Sequence, residues 1–500
     1  MFHKRKAGIL MPVYALPSPG GIGTLGRAAY QWIDFLRDAR IGVWQMLPVG
    51  PTGFGNSPYQ SCSAFAGNEY LIDLGMLANE GLLKAEEYEH LDFGRDPRRV
   101  DYGKLYEKRL SALRLAFGRF RPERYADYEA FAADGEMRDY ALFCALKERF
   151  SMRCWADWPE PYRDRDEGAL ARFYAEHRDA VDFRLFLQFV FFSQYRLLKL
   201  YAKEAGVELF GDMPLYVSYD SVDVWKRRSA FLLNKDGTPT AVAGVPPDAF
   251  SADGQLWGNP LFDWDAMRAD GYAWWKERIA RAFRLYDILR IDHFRGFDRY
   301  YAVPYGENSA KRGTWRQGPG AAFFDGLKEY SIVAEDLGII DEGVRQLLAE
   351  TGYPGMKVLS FAFDGNPDNP YLPSRFGENA AVYTGTHDNP PVKAWLMGQS
   401  REERFRLTAK LKRECRALSL PMRAETPDSL TDKLIEVAFA SRAVLAVIPY
   451  CDLLKLGEEG RINAPSTLSD RNWSYRCLKS DFTGALQRRL SSLAMRFGRG

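Results

Sequence analysis

Cysteine and histidine are both scarce in this chain of 500 residues, which has six cysteines and five histidines. No two cysteines form a CxxC pair, so the pattern indicates neither a zinc site nor a disulfide framework. A reduced, cytoplasmic setting fits this usage best, because cytosolic proteins rarely carry disulfides. The cysteines are Cys62, Cys144, Cys154, Cys415, Cys451 and Cys477.

The chain also lacks an excess of charge of one sign. Its 68 basic and 66 acidic residues leave a net charge of +2, which gives no electrostatic reason to expect nucleic acid or an acidic membrane as a partner. Long hydrophobic runs are interrupted. Pro12 breaks the first apolar run and no small-residue cleavage site follows, which argues against a signal peptide. The most apolar later stretch, residues 183–202, contains five charged or amide residues and is too polar to cross a bilayer.

Aromatic residues are abundant: 27 Tyr, 32 Phe and 12 Trp make up 14% of the chain. Most of them are expected in the core of a large globular protein. An excess of Tyr and Trp is also typical of a sugar-binding cleft, because each offers an apolar ring for stacking and a polar group for hydrogen bonding.

Four short apolar runs each end on an acidic residue, namely Asp212, Asp292, Glu335 and Asp388. This placement is typical of parallel barrel strands, whose carboxyl ends supply the catalytic residues. We therefore predict an α/β fold, a (β/α)8 TIM barrel. Its eight strands are expected at residues 8–14, 43–49, 207–214, 286–292, 331–335, 356–361, 381–385 and 444–450.

The predicted organisation is one catalytic barrel over residues 1–500, with a large, mainly helical insertion subdomain at 51–205, after strand two. Residues 231–264 read as a long irregular stretch rich in Gly, Pro, Asp and Trp. Long loops of this kind are usually lids or binding loops. After strand eight only a loop and a terminal helix at 482–497 remain, so no C-terminal β-sandwich is expected.

The acids suggest glycoside chemistry, in which one carboxylate attacks the anomeric carbon and a second, protonated one donates to the departing oxygen. Asp292 suits the first role because Arg290 and Arg295 would keep it ionised. On that segment alone, a structural Asp–Arg pair explains the pattern equally well. Burial of Glu335, with like charge from Asp336, suits the acid/base role.

Asp388 could hold ring hydroxyls and oppose the positive charge of an oxocarbenium-like transition state. His293 and His387 lie beside candidate acids. Neither has a second histidine at helical spacing, so we expect no metal site.

The chain resembles the 4-α-glucanotransferase family (amylomaltase, or disproportionating enzyme), a relative of the α-amylases, over nearly its whole length. The matching stretches are LPSPGGIGTLG, SPYQSCSAFAGNEYLIDL, FGDMPLYV, GVPPDAFSADGQLWGNPLFDW, RIDHFRGF, AEDLG, YTGTHDN and GRINAPSTLSDRNWSYR.

The resemblance implies Asp292 as nucleophile, Glu335 as acid/base and Asp388 as transition-state stabiliser, in a retaining double displacement without a cofactor. It also implies that α-1,4-glucan segments are transferred to glucose or maltooligosaccharide acceptors. The implied substrate-binding residues are Tyr59, Asp212, Gln255, Trp257, Arg290, His293, His387 and Asn463.

The chain departs from the family pattern at Ala249, where an aromatic residue is usual, at Cys451, and at Pro390 and Pro391. None of these is one of the three acids, so the resemblance still implies the reaction class but does not extend to chain-length preference. Two alternative functions are an α-amylase-type hydrolase that uses the same acids and a non-catalytic glucan-binding protein. The missing sandwich and the lid motif argue against the first, and the retained acids argue against the second.

Overall fold

The computed structural model describes residues 4–247, 251–338, 340–423 and 425–500. Ala249 and Phe250 of the predicted lid lie outside these ranges. Twelve strands occur in the described residues: β1 (Lys6–Leu10), β2 (Val43–Gln45), β3 (Glu208–Met213), β4 (Ala241–Val245), β5 (Gln255–Pro260), β6 (Ile288–Ile291), β7 (Arg299–Pro304), β8 (Thr314–Gln317), β9 (Ile332–Ala334), β10 (Gly355–Val358), β11 (Ala380–Tyr383) and β12 (Leu445–Pro449).

Eight of these strands form a closed parallel barrel in the order β1-β12-β11-β10-β9-β6-β3-β2. Each overlaps one of the eight predicted strands, so the predicted (β/α)8 barrel is confirmed. The strands are apolar and almost wholly buried because helices cover the barrel from outside. Strand β1 ends at Leu10, earlier than expected, because Pro12 has no N–H group for a strand ladder. The carboxyl ends of all eight strands meet at one rim.

Seventeen α-helices accompany the strands in the described residues: α1 (Arg27–Asp38), α2 (Leu74–Asn79), α3 (Tyr102–Arg119), α4 (Tyr128–Ala132), α5 (Gly135–Arg149), α6 (Glu160–Arg163), α7 (Glu167–Glu176), α8 (Arg178–Glu204), α9 (Val222–Lys226), α10 (Trp264–Ala269), α11 (Ala273–Leu285), α12 (Glu342–Thr351), α13 (Val392–Gly398), α14 (Arg401–Ala417), α15 (Pro427–Ala440), α16 (Tyr450–Leu453) and α17 (Gly484–Arg496).

The chain between β2 and β3 is helical, as predicted, and contains α2 to α8. Its centre is α8, a 27-residue helix whose buried face includes Phe186 and Phe189. Phe120, at the C-terminal end of α3, packs on both rings, with centroid distances of 4.9 Å to Phe186 and 6.0 Å to Phe189. After β12, residues 450–500 contain helices and turns and no further strand. No helix in the described part of the chain is long and apolar enough to cross a membrane.

A second sheet stands beside the barrel, with the antiparallel order β5-β4-β7-β8. The prediction of irregular backbone over residues 231–264 was therefore wrong for β4 and β5. These strands are hard to recognise because β4 depends on a distant partner, with Val242 opposite Val303. Gly244 has a packing role in β4, since a Cβ there would lie 2.5 Å from the Gln255 carbonyl oxygen.

Candidate active site

The four predicted acids lie at the carboxyl rim of the barrel. Asp212 belongs to β3 and Arg290 to β6, and the parallel register places these two residues opposite each other. Asp292 directly follows β6, and Glu335 directly follows β9. Asp388 lies in the loop after β11. One closed sheet thus brings together residues separated by as many as 176 positions, from 212 to 388.

Arg290 binds two of these carboxylates at once. Its Nη1 donates to both oxygens of Asp212, at 2.7 and 2.8 Å, and its Nη2 lies 2.7 Å from Asp292 Oδ1. Burial disfavours the charge of Arg290, yet the two carboxylates outweigh it and raise the pKa of Arg290 well above its ordinary value. Burial also raises the pKa of Asp212, against the effect of Arg290. The arrangement fixes a positive charge against Asp292.

Glu335 is held by two backbone donors. His293 N–H donates to Oε2 at 2.7 Å, and Leu337 N–H donates to Oε1 at 2.8 Å. Burial and the negative charge of Asp292 raise the pKa of Glu335 to about 7, although Arg290 and the two N–H groups oppose the rise. A carboxyl group with this pKa can both donate and accept a proton near neutral pH.

Asp336 and Arg295, which were expected to contact Glu335 and Asp292, bind other residues instead. Asp336 does not supply the like charge at Glu335; its carboxylate accepts from Met356 N–H at 2.6 Å and lies 3.4 Å from Lys357 Nζ. Arg295 pairs with Asp341 at 3.3 Å and lies over the ring of Trp315. Consecutive side chains at a strand end point in different directions, which adjacency in the sequence does not reveal.

His293 adopts a left-handed backbone conformation, with φ of 52°. Its ring meets Trp257 edge-on at a centroid distance of 4.8 Å, and Trp257 Nε1 donates to Gln255 Oε1 at 3.1 Å. Burial lowers the pKa of His293 to about 4, so the imidazole is neutral at physiological pH. Strand β5 therefore carries Gln255 and Trp257 from the second sheet to the barrel rim.

Asp388 is held as an anion by its neighbours. His387 Nε2 lies 3.3 Å from Oδ2, and Asn463 Nδ2 donates to Oδ1 at 2.7 Å. Burial alone would raise the pKa of Asp388, but the charge and hydrogen bond of His387 and the hydrogen bond from Asn463 lower it to about 2. Asp388 in turn raises the pKa of His387 above its usual value, although burial opposes this.

Tyr59 connects the two halves of the rim. Its hydroxyl donates to Asp212 Oδ2 at 2.8 Å, and its ring stacks on His387 at 4.9 Å. Contacts and chain adjacency thus join all eleven predicted site residues in one network. The sequence reasoning missed Trp473, whose ring lies 5.7 Å from that of Tyr59 and 5.9 Å from that of His387. The stretch RNWSYR was the signal that could have identified it.

The remaining residues that depart from the family pattern lie near the starts of two helices. Cys451 is buried in α16, and Pro391 caps the start of α13, directly after Pro390. Among the described residues, no group of three or more His, Cys, Asp or Glu side chains is arranged to hold a metal ion.

The barrel rim holds one carboxylate against an arginine, a second with a pKa near neutrality and a third that is kept ionised. This combination is typical of enzymes that act on glycosidic bonds. A family model described as 4-alpha-glucanotransferase matches residues 11–480. The chain belongs to the 4-alpha-glucanotransferase family, whose members transfer segments of α-1,4-glucan.

Individual relatives agree along the full length. A 4-alpha-glucanotransferase of Clostridium butyricum is 40% identical over 98% of this chain and 100% of its own. One of Thermus thermophilus is 41% identical over 98% of each chain. A solved structure, the amylomaltase from Streptococcus agalactiae in complex with acarbose, superposes with a TM-score of 0.94 and 37% identity, over 99% of this chain and 100% of that one.

Proposed function

We propose that Asp292 is the nucleophile of a retaining double displacement and that Glu335 is its acid/base. In the first step an oxygen of Asp292 attacks the anomeric carbon while protonated Glu335 donates to the departing 4-oxygen. In the second step Glu335 accepts the proton of an acceptor hydroxyl, which attacks the same carbon and releases Asp292. Asp388, held ionised, stabilises positive charge on the sugar ring in both transition states.

The observation that carries this proposal is the contrast between the two carboxyl groups. Asp292 has a guanidinium 2.7 Å away, whereas Glu335 has a pKa raised to about 7. Two acids whose environments differ in this way can serve as nucleophile and proton donor in one site.

The proposed donor is an α-1,4-glucan, and the proposed acceptor is the 4-hydroxyl of glucose or a maltooligosaccharide. The similarity to the Streptococcus agalactiae amylomaltase, solved in complex with acarbose, supports glucan binding by this chain. We assign the glucan contacts, with no cofactor and no metal, to Tyr59, Asp212, Gln255, Trp257, Arg290, His293, His387 and Asn463.

The proposed organisation keeps residues 1–500 as one catalytic barrel, with residues 51–205 as a helical insertion subdomain and 231–264 as a lid region. A cytoplasmic setting is supported by the six cysteines, all of which are free thiols. Nucleic acid and membranes are not proposed as partners, in keeping with the balanced charge of the chain.

Incubation with maltotriose alone tests the reaction. Transfer predicts glucose plus a ladder of longer maltooligosaccharides, with a nearly constant number of reducing ends. Asp292→Asn should lower this activity by several powers of ten, because it removes the covalent step. Product sizing and a reducing-end assay provide the measurement.

The matched control is Asp265→Asn, the same change at an exposed side chain on α10. We expect this control to keep full activity. A steady rise in reducing ends without longer products would indicate a hydrolase. More than a few per cent of activity in Asp292→Asn would place the nucleophile elsewhere.

A further inference from the structure

Apart from the proposed active site, a cavity lies between the glycine-rich loop after β1 and the segment after Trp473. Its volume is about 380 Å³, within the range of small-molecule sites. The loop contributes Gly20 and Gly21, the chain before α3 contributes Arg95 and Asp96, and the C-terminal segment contributes Arg476 and Lys479. None of these residues belongs to the proposed glucan site.

The cavity contains a buried guanidinium, that of Arg476, which forms no salt bridge with any residue that the structure describes. Arg476 is only 6% exposed; its Nη2 donates to the carbonyl oxygen of Ser18, and its Nε has no hydrogen-bond partner among the described residues. The carboxylate of Asp481, further along the segment, is engaged by Arg98. A buried charge is costly unless an opposite charge or several hydrogen bonds compensate it.

A second buried guanidinium lies behind the loop. Arg109 is 1% exposed, and its Nη1 donates to the carbonyl oxygen of Gly20 at 3.3 Å. Burial lowers the pKa of Arg109 to about 10; the negative charge of Asp73 opposes this fall, and the positive charge of Arg476 adds to it. Arg476 therefore lies close enough to Arg109 to disfavour its charge, and an anion in the cavity would oppose that effect.

Two further positively charged side chains lie at the opening of the cavity. Arg95 and Lys479 are exposed there, and neither forms a salt bridge within the described residues. Asp96 is the one acidic residue among the described residues that line this cavity, and its carboxylate accepts a hydrogen bond from Arg98 N–H at 2.8 Å. Gly20 and Gly21 have φ of 84° and 80°, and their N–H groups donate no hydrogen bond to the described backbone.

We propose that this cavity is a second ligand site that binds an anion carrying a phosphate group. The planar fork of an arginine matches phosphate oxygens, and backbone N–H groups are common partners of such anions. The cavity is larger than a phosphate ion requires, which leaves room for a sugar beside the phosphate. The phosphate group is the shared chemistry of two sources, a hexose phosphate and free phosphate.

Calorimetric titration of the full chain at constant ionic strength tests the site, with glucose 1-phosphate, glucose 6-phosphate and inorganic phosphate as probes. We expect saturable one-to-one binding. The double variant Arg95→Glu with Lys479→Glu should weaken it about tenfold or more, because two charged contacts are lost. Tighter binding of a hexose phosphate than of phosphate identifies the ester as the source, and equal binding identifies the free ion.

The matched control is Lys412→Glu with Arg413→Glu, two exposed residues of α14 that give the same change in net charge. Both double variants should keep full maltotriose transfer, so failure of this site is distinguishable from failure of the catalytic proposal. Arg476→Gln adds a test of the buried guanidinium, and the exposed variants remain decisive if it misfolds. Non-saturable binding, or the same affinity in both double variants, overturns the proposal.

Discussion

Glu335 shows how the backbone sets the chemistry of a single residue. Its two oxygens accept hydrogen bonds from N–H groups in the loops that follow the neighbouring strands β6 and β9, and burial raises its pKa. Backbone donors favour the ionised form, whereas burial and Asp292 favour the neutral form. The balance leaves a group that changes protonation state close to neutral pH, as a residue used first as acid and then as base requires.

The pH profile of activity follows from this pKa. Protonated Glu335 is needed in the first step, so kcat/KM for a maltooligosaccharide should fall as pH rises through about 7. A glycosyl fluoride needs no proton for its leaving group, so its rate of enzyme glycosylation should lack this alkaline fall. Rates measured with both donors between pH 5 and 9 provide the comparison, and parallel profiles would exclude Glu335 as the acid.

His293 is predicted to position Glu335 through its backbone. A left-handed φ costs a β-branched residue about 1–3 kcal/mol, whereas asparagine adopts this conformation readily. His293→Val should therefore disturb the N–H group that binds Glu335, lower kcat and move the alkaline limb of the profile to higher pH. The limb moves upward because an N–H donor stabilises the carboxylate.

His293→Asn is the matched control, since it also removes the imidazole but keeps the left-handed conformation. We expect its alkaline limb to stay where the unmodified protein has it. If the two variants give the same limb, the backbone of His293 does not tune Glu335, and any shared loss of activity belongs to the imidazole.

At the scale of elements, the second sheet presents Gln255 and Trp257 to the barrel. Strand β5 is held by β4, with Val245 opposite Gln255 and Gly244 opposite Leu256. Residues 246–254 connect the two strands in the proposed lid region. A lid favours transfer because water, at roughly 55 M, competes with the acceptor unless the closed cleft excludes it.

Replacing residues 246–254 by Asn-Gly should raise hydrolysis relative to transfer. This dipeptide suits a two-residue hairpin turn, so the pairing of β4 with β5 should be kept while the connection is lost. The ratio of new reducing ends to longer products from maltotriose measures the effect. An unchanged thermal midpoint would verify the sheet, and an unchanged ratio in such a folded variant would contradict the lid.

At the scale of the whole molecule, the barrel strands could be predicted from local sequence patterns, whereas the strand pairs of the second sheet could not. The barrel strands are short, largely apolar runs, four of which lead to an acidic residue, and this pattern can be recognised without knowledge of the neighbouring strands. The antiparallel sheet could not be found in this way, since β4 pairs with β7 some sixty positions later, as Ala241 with Pro304. Strands β4 and β5 each also contain a glycine, and β5 and β7 each end on a proline.

The same distinction applies to the active site, where residue identities could be predicted but some side-chain contacts could not. The acids could be predicted because they close apolar runs, and most glucan contacts came from the family resemblance. The partners of Asp336 and Arg295 could not be predicted, because which way a side chain points beyond a strand end depends on the packed structure. Trp473 reaches Tyr59 from the other end of the chain.

The covalent intermediate tests the central claim most directly. In Glu335→Gln, an α-maltosyl fluoride can still glycosylate the nucleophile, while the second step lacks its base. Mass spectrometry of the intact protein and of its peptides should then find one maltosyl group, attached to Asp292. The same treatment of Glu335→Gln combined with Asp292→Asn should give none. An adduct on another residue, or an adduct that persists in the double variant, would contradict the account.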